Sequence, residues 1–233
     1  RWENDTMRCL WQQIPSTVVS ELLARHTTHG VVLDTEHSSW NNETIYNCIQ
    51  VVKLSGKSCY VRIAEVNKSL IKICLDADAD GIILSNCDTT EQATQFKDLM
   101  YYPPHGSRGL GLTRQNNWGE DEELIQSRPL SIVQIETKQS IYNLEDIKKV
   151  GFDYFLIGPY DLSMSVGFPE DFENSRFKEL IKIFESEIPK DKRAIHIPKD
   201  VDKHIQKYVD YGLVAVGMDS TDLIKTIKEN VNA

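Results

Sequence analysis

Polar residues able to do chemistry stand at the ends of short apolar runs. Val31 to Asp34 leads into Asp34-Thr35-Glu36-His37, Cys59 to Ile63 carries Arg62 near its end, and Ser131 to Glu136 finishes in Gln134-Ile135-Glu136. Tyr154 to Gly158 leads into Gly158-Pro159-Tyr160-Asp161, and Ala194 to Ile197 contains His196. Glu136 and Asp161 belong to successive runs. If those runs are neighbouring strands, two carboxylates meet at one low-dielectric rim and repel unless a proton or a cation lies between them. A divalent metal resolves the repulsion, and an oxygen-only donor set with positions left for water or substrate selects a hard, roughly octahedral ion, Mg²⁺ or Mn²⁺. Arg62 is a permanent cation whose planar fork suits a carboxylate or an enolate oxygen. His37, three residues beyond Asp34, is placed to be oriented by that carboxylate as an acid/base dyad. Alone, Asp161 reads equally as the cap of a short helix containing Leu162-Ser163-Met164; the convergence of five polar ends favours chemistry.

Something must bring those ends together, and the periodicity supplies it. Eight apolar or β-branched runs are spaced along the chain: the five above, with Arg8 to Gln12, Gly81 to Ser85 and Leu213 to Gly217. Most are followed by a stretch with helical spacing. That alternation predicts βα units on a parallel sheet, and eight of them in 233 residues predict a single α/β domain over 1–233, a closed (β/α)8 TIM barrel. An open doubly wound sheet is the alternative, but the G-x-G-x-x-G turn such folds carry after their first strand is absent. Helix starts are marked by Asn67, and by Asp88 with Glu91 three residues on. A C-terminal helix is expected at about 219–231. Between the helix ending near Met100 and Ser131 lies a segment, about 101–128, too long for a connector; with Pro103, Pro104, Gly106 and Gly109 it reads as an ordered active-site loop. No strand end carries a lysine able to attack a carbonyl; Lys53 and Lys57 are the nearest.

Composition narrows the class. Lys plus Arg number 26 against 35 Asp plus Glu, a net charge of −9, with no basic block, which argues against nucleic acid as the main partner. No apolar run approaches the roughly 20 residues of a membrane span and no charged-then-apolar leader precedes the first periodic segment. Cys9, Cys48, Cys59, Cys74 and Cys87 form no C-x-x-C pair and read as small buried hydrophobes in a reducing cytoplasm. Glycosylation-type triplets at Asn4, Asn42 and Asn67 are expected from chance. His26, His29 and His204 read as solvent-facing or structural, whereas His196 reads either as a core histidine or as a group directed into the barrel mouth. Trp118, in the long segment, is a candidate to approach substrate.

Four segments, Leu33-Asp34-Thr35-Glu36-His37, Tyr102-Pro103-Pro104-His105-Gly106-Ser107-Arg108-Gly109, Val133-Gln134-Ile135-Glu136 and Ile157-Gly158-Pro159-Tyr160-Asp161-Leu162-Ser163, resemble the HpcH/HpaI family of metal-dependent class II pyruvate aldolases. Their order and spacing match from about Cys9 to Asn230. The resemblance implies a (β/α)8 barrel, a Mg²⁺, Mn²⁺ or Co²⁺ ion on Glu136 and Asp161, and pyruvate chelated to it. It also implies that Arg62 steadies the enolate oxygen, that His37 with Asp34 moves protons, and that Gln134 lines the pyruvate pocket. Backbone N–H groups around Gly158, Pro159, Tyr160 and Asp161 would hold the pyruvate carboxylate. Family members resemble trimers or hexamers, homo-oligomers whose last helix packs on a neighbouring subunit. The chain departs from the family wording at Asp78-Ala79, at Ser85-Asn86 where a proline is common, at Tyr160 where a small residue is usual, and around Cys9-Leu10 and Thr27-Thr28-His29-Gly30. The expected activity is that of a carbon–carbon lyase reversibly adding a pyruvate enolate to an aldehyde to give a 4-hydroxy-2-oxo acid. The alternatives are a citrate-synthase-like condensing enzyme and a barrel that binds a 2-oxo acid or sugar acid without turnover.

Overall fold

The computed structural model describes residues 6–120 and 128–232. Among them eight strands, β1 (Met7–Gln12), β2 (Gly30–Asp34), β3 (Ser58–Ile63), β4 (Gly81–Leu84), β5 (Leu130–Ile135), β6 (Tyr154–Ile157), β7 (Arg193–Ile197) and β8 (Leu213–Val216), close into a barrel in chain order. Every neighbouring pair is parallel, including β8 with β1. The (β/α)8 expectation is met, with strand bounds within about a residue of the apolar runs. The runs were legible because a parallel barrel strand is buried on both faces and so reads as unbroken hydrophobic sequence.

Alternation along each strand divides the core in two. Cys9, Trp11, Val32, Tyr60, Ile83, Ile132, Leu156, Ala194, Leu213 and Ala215 fill the barrel interior. Their neighbours, such as Val31, Leu33, Cys59, Val61, Ile82, Val133 and Phe155, pack outward against the helices. Continuing the period of two past the interior layer brings Asp34, Arg62, Ser85, Gln134, Glu136, Gly158 and His196 to the carboxyl-end mouth. All five cysteines are free and buried; burial pushes the Cys9 and Cys74 thiols up to about 12.

The helices of the outer ring are α1 (Thr17–His26), α2 (Asn42–Leu54), α3 (Lys68–Asp76), α4 (Thr90–Met100), α5 (Lys138–Tyr142), α6 (Leu144–Lys149), α7 (Pro159–Ser165), α8 (Ser175–Glu187), α9 (Val201–His204) and α10 (Asp219–Val231). Asn67 caps α3, accepting a hydrogen bond from the Leu70 N–H at 3.0 Å. The start of α4 differs from expectation: Thr89 is the cap and Gln92 closes the capping box, while the Asp88 carboxylate accepts a hydrogen bond from the Thr137 hydroxyl. Among the described residues no helix is long and apolar enough to cross a membrane.

The long segment corrects a second expectation. It leaves the C-terminal end of α4 and feeds the N-terminal end of β5, so it belongs to the face of the barrel opposite the mouth. Its described part is tied there: Arg108 reaches Asp76 at the end of α3 at 2.8 Å, and the Tyr101 hydroxyl donates to the Pro129 carbonyl at 3.1 Å. Trp118 lies exposed in this segment, away from the strand ends that carry the chemistry. Residues 121–127 of the expected loop, and Asn4, lie outside the described residues.

Candidate active site

The mouth is organised around Arg62. Asp34 and Arg62 sit directly opposite in the β2–β3 ladder, so their side chains leave adjacent strands on the same face. The guanidinium clasps Asp34 with two bonds, Nε to Oδ1 at 2.9 Å and Nη2 to Oδ2 at 2.7 Å, and reaches Glu36 with Nη1 at 3.0 Å. The Trp11 indole N–H adds a bond to Asp34 Oδ2 at 3.2 Å, and the Trp11 ring lies beneath the guanidinium at 4.9 Å. Burial raises the Asp34 carboxyl, but Arg62 and the Trp11 N–H outweigh it and hold the group below its ordinary range. An arginine gripped this way presents a fixed positive face to the mouth.

The expected Asp34–His37 dyad takes a different form. Asp34 is committed to Arg62 and meets His37 only through the backbone N–H at 3.4 Å. The imidazole is largely exposed and its Nε2 lies 3.7 Å from Glu36 Oε2. Glu36 is thus the carboxylate that faces both Arg62 and His37. It is held further by the Ser85 hydroxyl at 2.6 Å and the Asn86 side-chain amide at 3.0 Å. The sequence did signal it: Glu36 lies two residues beyond Asp34, hence on the same face.

Glu136 is buried at the base of this group. It accepts the Asn86 backbone N–H at 2.7 Å and a bond from the Gln134 side-chain amide. Asn86 aims that N–H by adopting φ +51°, a left-handed conformation that asparagine tolerates. Burial pushes the Glu136 carboxyl up to about 8, Glu36 and Asp161 adding to the rise while the Asn86 N–H and Arg62 oppose it. Asp161 stands exposed in the first turn of α7, where a negative charge is favoured. Gly158, just before that turn, has to be glycine: a Cβ there would lie 2.6 Å from Glu136 Cβ and 2.9 Å from its Oε2. Among the described residues no group of three or more His, Cys, Asp or Glu is arranged to hold a metal.

His196 is directed into the mouth. Its ring stacks on Trp11 with centroids 3.9 Å apart, and its Nε2 lies 2.8 Å from the Gly217 carbonyl. A carbonyl only accepts, so Nε2 carries the proton. Burial lowers the imidazole to about 4, the neighbouring Arg62 charge contributing, so the ring is neutral near pH 7. Trp11, Glu36, Ser85 and Asn86 are site residues the sequence reading did not single out for chemistry. Lys199 corrects the reading of Lys53 and Lys57 as the nearest lysines. It follows β7 by two residues, and its Nζ lies 5.4 Å from the Tyr160 ring and 3.4 Å from Glu170, which together raise its pKa. Held cationic, it is a poor carbonyl nucleophile. Lys53 pairs with Asp80 at 2.7 Å, near the start of β4 on the opposite face.

Tyr160 lies in the first turn of α7, between Pro159 and Asp161. Its ring meets Phe172 edge-on at 5.4 Å. It forms part of the wall of a mouth cavity of about 60 Å³ that also touches Trp11, Arg62, Gln134, Gly158, Asp161 and His196.

A (β/α)8 barrel whose carboxyl-end mouth joins a clasped arginine to a buried cluster of carboxylates defines a class of carbon–carbon lyases. The chain belongs to the HpcH/HpaI aldolase/citrate lyase family, whose pattern matches residues 10–225. It is 33% identical over 190 residues to the 2-keto-3-deoxy-L-rhamnonate aldolase of Salmonella gallinarum, covering 79% of this chain and 70% of that protein. The Escherichia coli K12 protein of the same name is 32% identical over 185 residues, covering 77% and 68%. Among solved structures, an HpcH/HpaI aldolase/citrate lyase family protein from Burkholderia cenocepacia superposes with TM-score 0.86 at 20% identity over 98% of this chain and 94% of that one. Citrate synthase SbnG gives 0.84 at 24% identity, over 98% and 92%; at that identity these two likenesses speak for the fold alone.

Proposed function

We propose that this mouth catalyses the reversible aldol addition of a pyruvate-type enolate to an aldehyde, assisted by a divalent metal, Mg²⁺, Mn²⁺ or Co²⁺, on Glu136 and Asp161. The observation that carries the reading is the burial of Glu136 at the mouth, with Glu36 and Asp161 as neighbouring charges that repel its own and with Gly158 leaving no Cβ against it. A divalent cation relieves that repulsion better than a proton does. When bound, the ion supplies Lewis acidity, polarising the 2-oxo group so that its methyl becomes acidic.

The chain's own residues then have definite tasks. Arg62, immobilised by Asp34 and Glu36, stabilises the negative charge that develops on the enolate oxygen. Gln134 lines the pocket beside it. The N–H groups of Tyr160 and Asp161, at the start of α7 where no helical carbonyl precedes them, face the substrate carboxylate; Pro159 carries no N–H to lose. His37, with Glu36 at its side, takes the methyl proton or returns one to the new alkoxide. In the forward direction a C–H bond of the methyl breaks, a C–C bond to the acceptor carbonyl carbon forms, and the carbonyl oxygen gains a proton; cleavage runs these in reverse.

The relatives' name supports a sugar-derived 4-hydroxy-2-oxo acid as the substrate class. The five free buried thiols suit a reducing, cytoplasmic setting, and neither nucleic acid nor a membrane is a proposed partner. The outward face of α10, where Leu223, Ile224, Ile227 and Val231 are exposed, supports a homo-oligomer, a trimer or hexamer.

The test is exchange of the pyruvate methyl protons with D₂O, followed by NMR without any aldehyde. Exchange with Mn²⁺ or Mg²⁺ that stops on chelation and returns on metal addition supports the reading. Undiminished exchange in the chelated protein removes the metal from it, and no exchange under any condition removes the enolate.

A further inference from the structure

Behind Tyr160 lies a second cavity of about 240 Å³, four times the volume of the mouth cavity. It runs between β6, β7 and α8 and is roofed by the segment from α9 to Tyr208. Its lining combines apolar and aromatic side chains, Phe177, Phe184 and Ile195 among them, with charged ones, Glu173, Glu185 and Lys207. A purely apolar cavity of about 150 Å³ accepts a benzene ring, so by volume this one has room for a ring with a short linker.

The two spaces share a partition. Ile157, Pro159, Tyr160, His196 and Pro198 line both, so only the thickness of these side chains separates them. Tyr160 belongs to this partition. Its ring is held by the edge of Phe172, in the α7–α8 connection, and by Lys199, in the β7–α9 connection. Among the described residues its hydroxyl makes no hydrogen bond. It is also the residue next to Asp161, so a group passing it starts from the carboxylates. Tyr160 makes none of the contacts of the Arg62 clasp, which are to Asp34, Glu36 and Trp11.

We infer that the cavity behind Tyr160 is a subsite for the acceptor, taking the aromatic or branched aliphatic substituent of an aldehyde whose carbonyl remains in the mouth. The inference rests on the aldol reading and extends it from the enolate to the second substrate. Burying one ring in an apolar pocket is worth about tenfold or more in affinity, so the subsite selects strongly between large apolar and small polar aldehydes.

The experiment compares phenylacetaldehyde with glycolaldehyde as acceptors for the metal-loaded protein and pyruvate, with pyruvate methyl exchange as the control. Ile181 lies on α8 at the far wall, lines the second cavity and not the mouth, and so can be enlarged at a distance from the chemistry. Ile181→Trp is expected to lower kcat/KM for phenylacetaldehyde about tenfold while leaving glycolaldehyde within twofold and methyl exchange unchanged. Ile181→Phe, a smaller intrusion, should lower it severalfold and serves if the Trp variant does not fold. Benzyl alcohol, an unreactive probe, should compete with phenylacetaldehyde in the wild type and lose that competition in the variant. Normal methyl exchange with an unaltered ratio of the two acceptors in a folded variant overturns the subsite alone. Absence of methyl exchange in the wild type overturns the aldol reading and the acceptor role with it.

Discussion

At the scale of single residues, Arg62 and His196 show how one mouth holds opposite demands on charge. Arg62 keeps its cation through a bidentate clasp on Asp34 and a third contact on Glu36. Lysine preserves the charge and loses the fork, so Arg62→Lys should reduce metal-dependent methyl exchange by about 10²-fold, in line with the loss of a preorganised donor. Asp34→Asn should have a smaller effect because Glu36 still holds one arm. Exchange within twofold of wild type in Arg62→Lys would take the guanidinium out of the reaction. His196 makes the complementary case. Burial holds the imidazole near 4 against an ordinary value of about 6.5, so the unfolded chain binds the proton more readily than the folded one. Its contribution to stability is therefore complete above about pH 6.5 and is lost as pH falls toward 4. Urea midpoints of chelated protein should drop between pH 7 and pH 5, and the drop should be smaller in His196→Gln, which retains an N–H for the Gly217 carbonyl. Equal drops in both proteins would show that His196 is not the group responsible.

At the scale of elements, the proposed sharing of a metal by Glu136 and Asp161 depends on the close fit between the end of β6 and Glu136, the residue after β5. Gly158 is the point of contact, with no space for a Cβ against the Glu136 side chain. Gly158→Ala should displace Glu136 and weaken Mn²⁺ binding by tenfold or more, measured by calorimetry, while the far-ultraviolet circular dichroism stays that of the barrel. Unchanged affinity would mean that Glu136 is not a ligand. The β4 exit shows a second device of the same kind. Ser85 and Asn86 turn toward Glu36 and Glu136 and brace both carboxylates. These contacts were hidden in the sequence because Ser85 and Glu36 are 49 positions apart and meet only through the barrel's curvature.

At the scale of the whole molecule, α10 presents uncovered apolar surface. None of its residues is buried, and Leu223, Ile224 and Ile227, each about half exposed, recur at i, i+1 and i+4 on one side. A helix with that much uncovered apolar surface is expected to pack on another copy of the chain. Light scattering after size-exclusion chromatography should give a trimer or hexamer for the wild type, and Ile224→Glu with Ile227→Glu should lower the mass toward that of one chain. A wild-type monomer would remove oligomerisation from the proposal. The mixed fate of the long 101–128 segment is also decided at this scale. Its prolines and glycines signalled order, and Arg108 on Asp76 with Tyr102 on Gln115 supplies it in the described part. Its place, however, follows from barrel direction: a segment between a helix and the next strand lies at the strands' amino ends, away from the mouth.

The sequence by itself determined the barrel, because doubly buried parallel strands write themselves as unbroken apolar runs, and it determined which strand ends bear Asp34, Arg62, Glu136 and Asp161. Only the tertiary structure decided how those residues pair. Asp34 and Arg62 are 28 positions apart in the chain but opposite each other in the β2–β3 register, so the aspartate serves the arginine and Glu36 is left to face His37. Likewise Tyr160 was legible as an unusual large residue beside Asp161, yet the volume behind it exists only where α8 stands off β6 and β7. Hydrophobic periodicity is a local property that survives in one dimension, whereas side-chain partners and cavities depend on which strands the closing sheet sets side by side.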